Sequence, residues 1–159
     1  MAISFKRVYN FSMATNYDFS LLSAADFEDL AKDILESKLH RRLHVDGEGK
    51  DHGIDICSDE AQPEIIGQAK RYIKSSLEEL MKALKEEHEK LLALGYKPKE
   101  YYIFTTFAIS GSTKDKIVAL FGDFGVDAGH IYAKTDLCAF LDDSLNIGIL
   151  KKYFKLYLN

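Results

Sequence analysis

The order of periodic segments in this chain predicts an α/β domain, on three observations. Apolar residues recur with helical spacing in two long stretches, one ending near Leu35 and one running from about Ser75 to Leu94. Short runs rich in β-branched and aromatic residues lie between and after them, as strands alternate with helices in α/β proteins. The 159 residues suit one domain, which at that length buries about 70% of the surface its unfolded chain would expose.

Residues 1–22 form an amino-terminal arm with several aromatics (Phe5, Tyr9, Phe11, Tyr17, Phe19) and no clear period, so it receives no assignment. The domain proper is expected to cover 23–159. From Ser23, Phe27, Leu30, Ala31, Ile34 and Leu35 recur at helical spacing, with Ser23 as N-cap and Asp26 at the capping-box position. Leu39, Leu43 and Val45 alternate with Arg42 and His44, which reads as a half-buried strand ended by Gly47 and Gly49. A second strand is expected over Ile54 to Cys57 and a third over Glu64 to Arg71, with a polar turn containing Pro63 between them. The long amphipathic helix from Ser75 closes at Gly95 in the C′ position. Tyr101 to Thr106 is a buried strand by content. A helix near Thr113 to Phe121, a strand near His130 to Ala133 and one or two helices from Thr135 to Tyr157 complete the order α-β-β-β-α-β-α-β-α.

A formal charge of −4 argues against a protein that coats nucleic acid non-specifically, because phosphate binding is driven by lysines and arginines releasing counterions. The charge is uneven. Lys38, His40, Arg41, Arg42 and His44 precede the segment of interest and Lys70, Arg71 and Lys74 follow it, while acids such as Glu78, Glu79, Glu86, Glu87 and Glu89 crowd the long helix and read as a solvated face. Cys57 and Cys138 lie in no metal-binding pattern and are expected as thiols in a reducing cytosol. No apolar run is long enough to span a bilayer and no signal peptide pattern opens the chain, so the expectation is cytoplasmic, without membrane contact. The histidines lack mutual spacing for zinc.

The chemistry concentrates between Asp51 and Arg71: Asp51-His52-Gly53-Ile54-Asp55, a turn, then Ile65-Ile66-Gly67-Gln68-Ala69-Lys70-Arg71. Gln68 and Lys70 are two apart on a strand and share a face, so a carboxylate, a carboxamide and an ammonium can converge. Lys70 has little reason to stand on the inner side of a strand unless it meets an anion, an edge-strand charge being the alternative. Asp55 otherwise closes a turn after Gly53.

This constellation resembles the PD-(D/E)xK nucleases, and among them the Mrr-like restriction endonucleases in which Gln replaces the second acid. The acid-bearing first helix (Phe27-Glu28-Asp29-Leu30) and the Arg71-Tyr72 pair after the lysine resemble that family as well. The resemblance implies a restriction-endonuclease-like fold, a central mixed sheet flanked by helices on both faces. It implies metal-dependent hydrolysis of DNA phosphodiesters with Mg2+ or Mn2+ held by Asp55, Gln68, the Ala69 carbonyl and Glu28, and with Lys70 beside the attacking water. Asp55, Gln68, Lys70 and Glu28 are thus the expected catalytic set. Arg71, Tyr72, Arg41, Arg42 and His52 are expected against double-stranded DNA. Thr135-Asp136-Leu137 through Leu141, and Lys152 to Leu158, look like the junction between such a domain and the NTPase of bacterial antiviral STAND proteins; Tyr17-Asp18-Phe19-Ser20 and Asp26-Phe27-Glu28 look like their start. That likeness implies an antiphage effector clustered as a homo-oligomer by C-terminal NTPase and sensor domains. No phosphate-binding loop motif occurs here, so ATP binding is not expected of this chain. The other reading is a catalytically inactive nucleic-acid-binding module on the same fold; an RNase or a nuclease for modified DNA also fits the residues.

Overall fold

The computed structural model describes residues 15–46, 54–72 and 75–155. Five strands, β1 (His44–Val45), β2 (Ile56–Cys57), β3 (Ile65–Lys70), β4 (Glu100–Thr105) and β5 (Ile131–Tyr132), form one sheet in sequential order. The pairs β1·β2 and β2·β3 are antiparallel, while β3·β4 and β4·β5 are parallel. The sheet is therefore mixed, as the sequence leads one to expect.

Helices α1 (Ala24–Leu39), α4 (Lys134–Asp142) and α5 (Ile147–Tyr153) cover one face, and α2 (Leu77–Ala93) and α3 (Gly111–Leu120) cover the other. Strand alternation divides β3 between them. Ile65 and Ala69 enter the core with Phe27, Leu30, Ile34 and Leu35 of α1, whereas Ile66 enters the core with Leu80, Leu84 and Leu91 of α2. Each such fully buried aliphatic or phenyl side chain contributes about 1.5–3 kcal/mol. Gly67 lets α1 approach the sheet: a Cβ there would lie 3.2 Å from both Ile56 Cβ and Leu35 Cδ1.

The helix ends follow the local chemistry. Ser23 and Asp26 form the reciprocal capping box of α1. Ser76 caps α2, and Gly95 follows its last turn in the left-handed region (φ 71°). Two boundaries differ from expectation. Leu39 belongs to α1, which ends at left-handed His40 (φ 50°), so the first strand shrinks to the two residues that meet β2. In the second strand, ladder pairing is confined to Ile56 and Cys57. The segment before α1, unassigned from sequence, sends Tyr17, Phe19 and Leu22 into the α1 core, and the Tyr17 hydroxyl donates to Asp142 Oδ1 at 2.8 Å. Cys57 and Cys138 pack on opposite faces of the sheet. Among the described residues, no helix is long and apolar enough to cross a membrane.

Candidate active site

The site stands at the carboxyl end of β3, on the face covered by α2. Ile56 pairs with Gly67 in the antiparallel ladder, so Asp55, one residue before β2, comes opposite Gln68. Its Oδ2 accepts the Ala69 backbone N–H at 2.8 Å, which fixes the carboxylate against the strand carrying Gln68 and Lys70. Burial pushes the Asp55 carboxyl above its ordinary pKa; the nearby Lys70 ammonium and the Ala69 N–H pull it down, while Glu87 and Asp46 push it up. Asp46 is opposite Asp55 on the other side, and its N–H donates to the Asp55 carbonyl at 2.9 Å.

Gln68 is fully buried beside Tyr101, whose phenol is pushed well above its ordinary pKa by burial. Tyr101 is itself fixed by stacking on Phe121, with centroids 4.9 Å apart.

Lys70 Nζ lies 3.3 Å from Oε1 of Glu87, on α2. Glu87 is only 8% exposed and occupies the buried stripe Leu80, Leu84, Glu87, Leu91. The solvated-face expectation is therefore corrected for this residue. Its signal was available in the sequence: an acid standing seven residues after Leu80 and four before Leu91, where the helical period calls for an apolar side chain. Glu28 stands on α1, half-buried, with α1 packed on the opposite sheet face from Gln68 and Lys70. The fold thus brings Asp55, Gln68 and Lys70 together and adds Glu87 and Asp46, which sequence reasoning missed.

The expected DNA contacts separate. Arg41 is bound to Glu60 and, at 3.5 Å, to Glu64. Glu64 precedes β3 and Lys70 ends it, a span of about 20 Å along an extended strand, so Arg41 is remote from the site. Arg42 is exposed in the same turn. Arg71 turns to the α1 face, where Nη1 donates to the Leu22 carbonyl at 2.5 Å, while its buried Nε has no hydrogen-bond partner among the described residues. Tyr72 packs against Phe107 with centroids 5.5 Å apart, and its backbone is clamped by the Thr106 hydroxyl. A cavity of about 310 Å³ opens there, lined among others by Asp18, Arg71, Tyr72, Thr106, Phe107 and Lys134. It lies beyond the carboxyl ends of the parallel strands β3 and β4, the usual position for a ligand crevice in open α/β sheets. His52, Asp51 and Lys74 lie outside the described residues.

A model of the restriction endonuclease family (Mrr_cat) matches residues 19–115, more than half of the chain, and its span contains Asp55, Gln68, Lys70 and Glu87. The chain belongs to the Mrr_cat restriction endonuclease family. Among curated relatives, the Uncharacterized protein y4cD of Sinorhizobium fredii is 31% identical over 121 residues, which are 76% of this chain and 19% of that protein. The chain spans about a fifth of that relative's length. No solved structure matches the chain significantly. The sheet order and flanking helices described above are those of a restriction-endonuclease-like fold, and membership makes this a nuclease domain.

The donor set suits a hard cation. Asp55 and Glu87 carry carboxylate oxygens, Gln68 an amide oxygen, and Glu87 Oε2 is buried with no hydrogen-bond partner among the described residues. Among those residues, no three His, Cys, Asp or Glu side chains converge to hold an ion by themselves.

Proposed function

We propose that this domain is a divalent-metal-dependent DNA endonuclease, acting as the effector of a larger antiphage defence protein that activates it by oligomerisation. The observation that carries the nuclease chemistry is the junction of Asp55, Gln68 and Lys70 across paired strands, with Asp55 tied to the Ala69 N–H at 2.8 Å.

Asp55 and Gln68, with the Ala69 carbonyl, would hold Mg2+ or Mn2+, which supplies Lewis acidity toward a phosphate oxygen and lowers the pKa of a bound water. Everything else falls to the chain. The Ala69 N–H holds Asp55 in one orientation, so its free lone pairs point consistently to the site. Lys70 places a compact ammonium where negative charge grows on phosphorus during in-line attack, and a point charge in a partly buried position stabilises that charge more strongly than it would in water. Arg71, Tyr72 and Lys134 line the neighbouring cavity, where cationic and aromatic groups suit a nucleotide flanking the scissile bond.

The effector role is supported by the sequence likeness to antiviral STAND proteins. An acidic domain with net charge −4 binds DNA weakly alone, and clustering several copies raises effective concentration without new contacts. Cleavage of labelled duplex DNA by the free chain, by the chain fused to an oligomeric scaffold, and by both forms carrying Lys70→Ala tests the proposal. Faster cleavage by the scaffolded form, abolished by Lys70→Ala, is expected. Equal rates would remove the clustering role, and no cleavage by either form would remove the nuclease reading.

A further inference from the structure

Gln68 is neutral where a second carboxylate would hold a hard cation more firmly, so a metal-dependent site needs an acid from another element. Helix α2 brings one. Resting on the metal-dependent reading above, we infer that Glu87 is the second acidic ligand of the divalent-cation site, acting with Asp55 and the Gln68 amide oxygen. Lys70 is the internal cation that faces both acids in the metal-free protein.

Three observations support this assignment. Glu87 occupies a core position of α2 between Leu84 and Leu91, where a carboxylate costs several kcal/mol unless it is compensated. Its compensation is one-sided: Lys70 at 3.3 Å and the largely exposed Lys90 at 3.6 Å both meet Oε1, and Oε2 has no hydrogen-bond partner among the described residues. A carboxylate only accepts, so that buried oxygen has neither donor nor cation to meet it among the described residues. Finally, Lys70, which meets Glu87 at 3.3 Å, stands on the same face of β3 as Gln68, the residue that Asp55 comes opposite in the antiparallel ladder.

An ordinary structural ion pair would also place Lys70 against Glu87, and the two accounts separate on cation binding without DNA. Mn2+ titration of the full chain, followed by the electron paramagnetic resonance signal of free Mn2+, is to be run on wild type, Glu87→Gln, Glu28→Gln and Lys70→Met, with circular dichroism to confirm folding. Glu87→Gln is expected to weaken Mn2+ binding by at least about tenfold, the lower end of what perturbing the shell around a bound metal costs. Glu28→Gln is expected to change it little. Lys70→Met is expected to tighten binding, because it removes the cation that competes for the two acids. Unchanged affinity in Glu87→Gln overturns the inference while leaving metal-dependent nuclease action intact; absence of Mn2+ binding in wild type overturns both. If Glu87→Gln does not fold, Lys70→Met decides: tighter binding supports the assignment, and equal or weaker binding overturns it.

Discussion

Lys70→Met separates loss of chemistry from loss of structure, and its stability cost follows from the geometry of one ion pair. Lys70 Nζ and Glu87 Oε1 are 3.3 Å apart, with side chains 20% and 11% exposed. At an effective dielectric of about 20 the gross attraction is about 5 kcal/mol, most of which offsets the desolvation of the two ions. Removing one partner of a buried pair costs about 3–5 kcal/mol, because the other charge remains buried. Here Lys90 stays 3.6 Å from the same oxygen, 54% exposed, so about 2–3 kcal/mol is the better figure for Lys70→Met in the absence of metal. The double variant Lys70→Met/Glu87→Gln removes the stranded charge and is expected to regain most of that loss. Urea unfolding in EDTA measures both; with m of about 2 kcal/mol/M the single variant's midpoint falls by about 1 M. Cleavage is expected to be absent in both variants even under conditions where each is fully folded. A Lys70→Met midpoint equal to wild type, or a double variant no more stable than the single, would show that the ammonium does not compensate Glu87.

Other consequences can be measured on the same preparation. Asp55 keeps its proton in the folded metal-free state at pH values where the unfolded carboxyl has lost it, so the stability it contributes is complete below about pH 3.8 and is lost as pH rises through the raised folded value. Unfolding in EDTA at several pH values should therefore show this downward component in wild type and not in Asp55→Asn, and identical pH slopes would contradict it. Gly67→Ala forces a methyl to within 3.2 Å of Ile56 and Leu35 and is expected to cost about 1–3 kcal/mol by thermal unfolding; a neutral substitution would mean that α1 is free to retreat. Lys134→Ala, at the cavity, is expected to weaken DNA binding and to reduce the salt slope of log K by about 1. Arg41→Ala, whose guanidinium is committed to Glu60 and Glu64, is expected to leave that slope unchanged. The reverse ranking would place the DNA path at the other end of β3.

What the sequence revealed of the fold and site is what local rules control. Ser23 and Asp26 announce the start of α1 because both halves of the capping box lie within one turn. Gln68 and Lys70 share a face because alternation along a strand needs no knowledge of its neighbours, and Asp55 meets them because one antiparallel ladder sets the register. The errors arise where distant elements decide. Leu39 fits either a helix end or an alternating strand, and only its packing beside the α1 core settles the matter. Arg41 was read as a phosphate contact without the acids 19 and 23 residues away that folding sets beside it. Glu87 was grouped with its charged neighbours, although its position in the helical period places it under β3. An acid on an apolar stripe was the readable sign, and charge clustering hid it.

The most direct measurement is incubation of the chain at high concentration with supercoiled plasmid in Mg2+, in Mn2+ and in EDTA, with Asp55→Ala and Lys70→Ala alongside. A nuclease site at Asp55, Gln68 and Lys70 predicts metal-dependent nicking by wild type, no nicking in EDTA and none by either variant. Nicking that persists in Lys70→Ala or in EDTA would contradict it.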